Sequence, residues 1–398
     1  MARQLVSFGT EGTVFGREGA ARSAPQPAMP AAMAVALVAF EGIRKSGQGA
    51  TPALSWLELG VGRGEVATLL GPAGAGKSVA IDIAAGFIQP DAGQVLMKGE
   101  RVARLPPWRR DIGLVSTQPD LFPDMTVLGN VTFPLEARGT ARAEGEERAL
   151  AMLARWGIPA SLGAARPAAL PPGQQLRVAL ARALVHAPSL LLLDDPLRAL
   201  EAEDRDTLAA DLLRLRAELG LTVLHATRDA ALALALSDRV AVLEAGRMRQ
   251  WGTPRDLYDS PADPVVAALT GPCNRLSGTV VSIEDGACHV RLDCGLGAVG
   301  LPVIGAEGSP QAGGRCTLVI RPERVAVAPL SPAELGGDAV PARLLEARFA
   351  GDHLRLRLLI GQGGELLVHR PIGLPLPETG GEASIAWDLS AARVHAGG

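Results

Sequence analysis

The stretch Gly71–Ser78, reading GPAGAGKS, constrains this chain more than any other. It fits the pattern G-x-x-x-x-G-K-[ST] of a phosphate-binding loop, with Gly71, Gly76, Lys77 and Ser78 at the required positions. Small residues let successive backbone N–H groups curl round a phosphate, and Gly74 and Gly76 put no side chain on that curl. Lys77 is placed to reach the β- and γ-phosphates, and the Ser78 hydroxyl to sit on Mg²⁺. The flanks agree. Val66–Leu70 (VATLL) reads as a buried parallel strand, and Ser78–Ile88 reads as a helix whose N-terminus faces the anion. The positions expected to hold a nucleotide are Gly71, Pro72, Ala73, Gly74, Ala75, Gly76, Lys77, Ser78 and Val79.

With 398 residues the chain can bury two or three cores. A formal charge of −3 carries no basic excess, so nucleic acid is not an expected partner. No uninterrupted apolar run reaches the roughly 18 residues that cross a bilayer. Contact with a membrane is therefore expected only through partners. The four cysteines all lie beyond residue 270 and follow no C-x-x-C spacing. Cys288, Val290, Leu292 and Cys294 alternate with His289, Arg291 and Asp293, the pattern of one buried strand face. Thiol packing is favoured there over a disulfide or a metal, which fits a reducing cytoplasm.

Residues 1–33 are rich in Gly, Ala, Pro and Arg without periodicity. They read as a disordered leader or an over-long start, with Met29 and Met33 as alternative starts. Ala34–Phe40 is the expected first strand. From 34 to 262 strands and helices alternate, the pattern of an α/β domain with a largely parallel sheet, and residues 126–190 interrupt it as a helical subdomain. In Leu190–Asp195 (LLLLDD) four leucines make a fully buried strand, and two carboxylates follow where it leaves the core. Asp194 is placed to hold Mg²⁺. Residues 263–398 change to short alternating strands with Gly and Pro turns. The clearest are Leu276–Val281, Cys288–Leu292, Arg315–Ile320, Leu354–Leu359 and Glu365–His369, which predict a small β-barrel.

The order of these motifs resembles the ATP-binding subunits of ABC importers. The resemblance rests on GPAGAGKS; on IGLVSTQPDLFPDMTVLGNVTFPL at 112–135; on LPPGQQLRVALARAL at 170–184; on LLLLDDPLRALE at 190–201; and on the segment from His225 to Tyr258. GPCNRLSGTV at 271–280, IRPERVAV at 320–327 and FAGDHLRLRLLIG at 349–361 resemble the C-terminal OB-type (TOBE) domain of such proteins, nearest to polyamine-type systems. The resemblance implies a phosphate-loop NTPase domain of α/β class, with its helical subdomain, followed by an all-β OB-type domain. It also implies ATP and Mg²⁺ as cofactors, transmembrane permease subunits as partners, and a place on the cytoplasmic face of the membrane. A head-to-tail dimer follows as well, as a homodimer or with another ABC ATPase subunit, each ATP lying between one phosphate loop and the other chain's signature segment. Phe122–Leu135 corresponds to the surface that receives the permease, though its apolar content also suits a buried core.

Departures from the family pattern concern the chemistry. The LSGGQ signature is here Leu170-Pro171-Pro172-Gly173-Gln174, and proline offers neither hydroxyl nor N–H. Proline does suit a first helical turn, so a helix over Gln174–Leu184 remains possible. The Q-loop glutamine falls at Thr117, with Gln118 as a stand-in one residue later. The catalytic Glu falls at Asp195, one methylene shorter. Arg228 occupies the switch-histidine position; it can pair with phosphate but cannot act as a neutral acceptor. His225, three residues earlier, reads as a packed strand residue. Arg198 and Glu201 replace the D-loop Ser and Asp, Val79 replaces a hydroxyl residue, and no aromatic lies between Phe40 and Trp56 to stack adenine. The parts that hold triphosphate and metal are kept, and those that sense the γ-phosphate and drive hydrolysis are altered. Two functions follow as expectations: an importer ATPase with weak turnover, or a non-hydrolysing, nucleotide-dependent binding module.

Overall fold

The computed structural model describes residues 36–47, 53–303, 308–329 and 339–397, and the leader 1–33 lies outside them. Two compact units divide between Arg255 and Asp256. In the first, five parallel strands carry the phosphate loop. Val66–Leu70 lies between Arg239–Glu244 and Thr222–Thr227; Leu190–Asp194 and then Ile112–Val115 continue to the edge. Within Leu190–Asp194, Leu191 and Leu193 enter one core with Val66 and Val223. Leu190 and Leu192 enter the other with Leu69 and Leu224. The alternation of a strand covered on both faces makes the four leucines necessary.

The rest of the ten-stranded sheet is mostly antiparallel, with one parallel bridge between Arg247–Gly252 and Leu54–Val61. Val38–Lys45 pairs antiparallel with Leu54–Val61 and Ala92–Met97. Arg247–Gly252 joins the halves, antiparallel to Arg239–Glu244 and bridged to Leu54–Val61 at Arg247 and Trp56. The cause is local: Ala245 and Gly246 turn with φ of +46° and +75°. A two-residue turn of that kind makes a hairpin and cannot make a parallel crossover. The first strand runs over Val38–Lys45, later than the expected Ala34–Phe40.

The loop helix spans Lys77–Ala85 and stops short of Ile88, because Gly86 turns left-handed at φ +87° and returns its N–H to Asp82 and Ile83. Buried Arg110 caps that end, its Nη1 donating to Ile83 O at 2.8 Å and Ala84 O at 3.0 Å. A guanidinium suits the negative end of a helix. The helices Val127–Glu136, Arg142–Arg155 and Pro172–Leu184 form the helical subdomain with fully buried Trp156. Phe122–Leu135 is divided between core and surface. Val127, Val131 and Leu135 are buried, while Phe122 and Phe133 stand exposed, edge to face at 4.9 Å.

In the second unit a closed barrel of five strands, Asn274–Glu284, Ala287–Leu292, Gly297–Pro302, Arg315–Ile320 and Ala392–Ala396, shares one core with a five-stranded sheet. The small barrel expected from the spacing is therefore only half of this unit. Leu354–Leu359 and Glu365–His369 belong to the second sheet, in strands His353–Ile360 and Gly364–Pro371. Leu356 and Leu358 point into the core and Arg355 and Arg357 away from it. All four cysteines are free thiols, with Cys288 and Cys316 buried.

Candidate nucleotide site

Three parallel strands end level, since Leu70 pairs with Thr227 and Asp194 with Ala226. The residues just beyond them, Gly71, Asp195 and Arg228, share the carboxyl edge of the sheet, where open α/β sheets bind ligands. Two glycines pin the loop there. A Cβ on Gly71 would lie 2.2 Å from Leu243 O, and one on Gly76, at φ +96°, 2.4 Å from Ala53 O. Pro72, Ala73 and Gly74 form the exposed crest, and Ala75 is buried. Val79 packs against the core, which leaves its amide as its contribution to an anion.

Lys77 is buried, and its Nζ donates to Gly71 O at 2.7 Å and Pro72 O at 2.8 Å. Burial lowers its pKa, Asp195 opposes the shift and Arg228 adds to it. Ser78 Oγ donates to Asp194 Oδ1 at 3.0 Å. Burial raises the Asp194 pKa; the Ser78 hydrogen bond opposes that and Asp195 reinforces it. One turn along the helix, Asp82 is raised by burial and then by Asp194. Carboxylates that resist ionising beside one another make an electrostatic seat for a cation. Among the described residues no group of three His, Cys, Asp or Glu side chains could hold a metal alone. One hydroxyl and one carboxylate suit Mg²⁺, which takes its other ligands from phosphate and water.

Asp195 lies in the left-handed region at φ +52° and turns the strand into the short helical segment Pro196–Ala199. Its Oδ1 accepts from Thr227 Oγ1 at 2.9 Å, and its Oδ2 lies 3.8 Å from Arg228 Nε. Thr117 Oγ1 donates to the Asp194 carbonyl at 2.9 Å. Gln118 is exposed, and its carbonyl accepts from Ser116. The structure thus gathers Lys77, Ser78, Thr117, Asp194, Asp195 and Arg228, with Gln118 outside their bonds. Two residues escaped the sequence reading. Thr227 could have been found as the last residue of a buried strand level with Asp194, and Asp82 by its spacing of one turn from Ser78.

His225 is inside the strand, 1% exposed, with Nδ1 3.4 Å from Thr68 Oγ1. Burial lowers its pKa from 6.5 to about 4, and burial does the same to His395 in the other unit. Both rings are neutral in the fold, whereas the unfolded chain protonates them below pH 6.5. Their contribution to stability is present above pH 6.5 and is lost as pH falls towards about 4. Each contributes about 3 kcal/mol of that pH dependence. Urea unfolding of wild type and His225→Gln/His395→Gln measures it: the variant should lose less stability than wild type on acidification through that window. Equal losses would show that these rings do not report on acid.

Comparison with known proteins fixes the family. The ABC transporter family matches residues 54–198 and the TOBE domain matches residues 318–394. The spermidine/putrescine import ATP-binding protein PotA of Frankia alni is 39% identical over 324 residues, 80% of this chain and 69% of that protein. This chain belongs to the import ATP-binding proteins of the ABC transporter family. The Fe(3+) ions import ATP-binding protein FbpC of Agrobacterium fabrum is 36% identical over 317 residues, 80% of this chain and 86% of that protein. Among solved structures, cbiO1 from Clostridium perfringens, part of an ABC transporter complex, aligns with TM-score 0.52 and 28% identity over 56% of this chain and 91% of its own. An ATP-binding cassette in a post-hydrolysis state, bound to ADP and Pi, aligns with TM-score 0.51 and 30% identity over 55% of this chain and 99% of its own.

Against the pattern of import ATP-binding proteins, the signature segment departs in a simple way. Its helix begins at Pro172, two residues before the expected Gln174, because proline carries helical φ and has no N–H to leave unpaired. Leu170 is buried, and Pro171 and Pro172 are exposed. The first amide of the turn is that of Gly173. Arg198 and Glu201 of the D-loop are exposed, and residues 48–52, beside the position of the family's adenine-stacking aromatic, lie outside the described residues.

Proposed function

We propose that this chain binds Mg-ATP at Gly71–Ser78 and serves as the ATP-binding subunit of an importer whose hydrolysis is slow. The observation that carries this reading is the convergence of Lys77, Ser78 and Asp194 at the loop, beside an Asp195 already engaged by Thr227 and Arg228. The loop amides and Lys77 hold phosphate; Ser78 and Asp194 hold Mg²⁺; Asp195 orients water. Bound Mg²⁺ neutralises charge that develops on the phosphates. Polyamines are the proposed solute class, supported by relatives named for spermidine and putrescine, although others of similar identity are named for iron. Exposed Phe122 and Phe133 belong to the proposed permease-docking surface. No described helix is long and apolar enough to cross a membrane, and attachment to the cytoplasmic face is proposed through the permease. The working form is a head-to-tail dimer, with itself or with another ABC ATPase subunit. A second reading, a module that binds nucleotide without hydrolysing it, is favoured by Pro171 and Pro172 at the signature.

Equilibrium binding of Mg-ATP should be measurable for wild type and weakened at least about tenfold by Lys77→Ala, which removes a charge-assisted bond to phosphate. Steady-state ATPase assays with and without the candidate permease complete the test. No binding by wild type, or turnover equal to that of an intact importer ATPase, would refute the reading.

A further inference from the structure

On the outer face of the five-stranded sheet in the second unit, positive charge gathers at one spot without enough carboxylate to balance it. The strands Val340–Phe349 and His353–Ile360 pair antiparallel, and their register slips by one residue between Leu344 and Glu346. Two residues of the first strand there face one of the second, which is a β-bulge, and bulges re-aim the side chains that follow them. Leu344 and Leu358, opposite one another before the slip, are both buried. Beyond it Glu346 stands opposite Arg357, and Arg348 opposite Arg355. An unbroken register would set Leu345 and Ala347 against those two arginines and turn Glu346 and Arg348 towards the core.

Four side chains therefore mark the corners of a square, three cations and one anion, and they line a groove of about 200 Å³. The one carboxylate is fully engaged. Glu346 accepts from Arg348 on one oxygen and from Arg357, at 3.4 Å, on the other. Arg357 also donates to Glu365 at 2.9 Å. Asp352, in the turn between the strands, is paired with His353 at 2.6 Å. Arg355 is exposed and has no hydrogen bond or ion pair among the described residues. Its neighbours across the strands are Arg348 on one side and His369 on the other. Like charges directly opposite one another destabilise a sheet.

We infer that this groove binds a tetrahedral dianion, phosphate or a phosphomonoester, held by Arg355 and Arg348 with Arg357 beside them. Guanidinium forks match phosphate oxygens in bidentate pairs. Two forks on adjoining strands call for more than two acceptor oxygens, which a tetrahedral ion offers and a carboxylate does not. Pockets for drug-sized ligands run to roughly 300–1,000 Å³, so a groove of about 200 Å³ suits one charged group. The groove lies wholly within the second unit and is independent of the nucleotide loop.

The test is calorimetry of the full-length chain with sodium orthophosphate, with glycerol 3-phosphate and with acetate, at an ionic strength held constant with sodium chloride. Orthophosphate should bind, and acetate should bind at least about tenfold more weakly. Arg355→Gln and Arg348→Gln, which remove a charge, should each raise the orthophosphate Kd about tenfold or more. Lys77→Ala should leave this binding unchanged, which separates it from phosphate taken up by the loop. Without phosphate, Arg355→Gln should melt no lower than wild type, because it relieves the repulsion from Arg348. A lower Kd for glycerol 3-phosphate than for orthophosphate makes the ligand a phosphomonoester, and a higher one makes it the free ion; both support the site. Binding that Lys77→Ala removes and Arg355→Gln spares, acetate held as tightly as phosphate, or no phosphate binding at all would overturn it.

Discussion

Asp195→Asn should abolish whatever ATP hydrolysis this chain performs, and Asp195→Glu should raise it. The Asp195 carboxylate emerges at the end of Leu190–Asp194 beside the loop, where it is proposed to orient water, and is one methylene shorter than a Glu. It is also held, at 2.9 Å by Thr227 Oγ1 and more loosely by Arg228. A general base out of position typically costs about 10²–10⁴ in rate. The longer side chain should recover at least about tenfold of that by reaching past Thr227. Asn keeps the shape of Asp but cannot accept a proton. Phosphate release measured for the three forms at saturating Mg-ATP decides the matter, and equal rates would show that this position neither limits nor performs the chemistry.

Pro171→Ser/Pro172→Gly should strengthen ATP-driven dimerisation. In a head-to-tail dimer the signature of one chain faces the γ-phosphate held by the other. Pro171 and Pro172 stand exposed at the head of Pro172–Leu184, where the family places a hydroxyl and backbone N–H groups. A hydrogen bond to a charged group is worth about 1.5–3 kcal/mol, so restoring one shifts a dimer equilibrium roughly tenfold or more. Pairing with an intact ATPase subunit repairs neither site fully. One site keeps Asp195 and Arg228, and the other keeps the two prolines. Sedimentation with Mg-ATP under non-hydrolysing conditions compares the two forms. A wild-type chain that already dimerises tightly only with ATP, and gains nothing from the double substitution, would contradict this account.

The site was legible where spacing alone dictates shape. GPAGAGKS can only be a tight turn into a helix, and four leucines before two acids can only be a strand covered on both faces, so Lys77, Ser78 and Asp194 were placed from sequence. Partners across the sheet were not legible. Thr227 meets Asp195 through the register of two strands 32 residues apart in the chain, and no local pattern encodes that register. The antiparallel half of the first sheet was hidden for a similar reason, since its direction is set by the turn at Ala245 and Gly246 rather than by the strands. In the second unit the alternation of Leu354, Leu356 and Leu358 gave a strand and its buried face. Alternation cannot say whether such a strand closes a barrel or lies in a sheet beside one.

Arg110 has a mechanical consequence. It grips the end of the loop helix and stands two residues before Ile112–Val115, the strand that leads to Thr117. Thr117 holds the Asp194 carbonyl, and Asp194 accepts from Ser78 at the other end of the same helix. The chain of links therefore closes on itself, from helix tail to strand to acid and back to helix head. A closed circuit of this kind behaves as a braced frame. Ser78, Asp194 and Thr117 are thereby tied to one another, so a displacement of Thr117 is expected to move Ser78 and Asp194 with it.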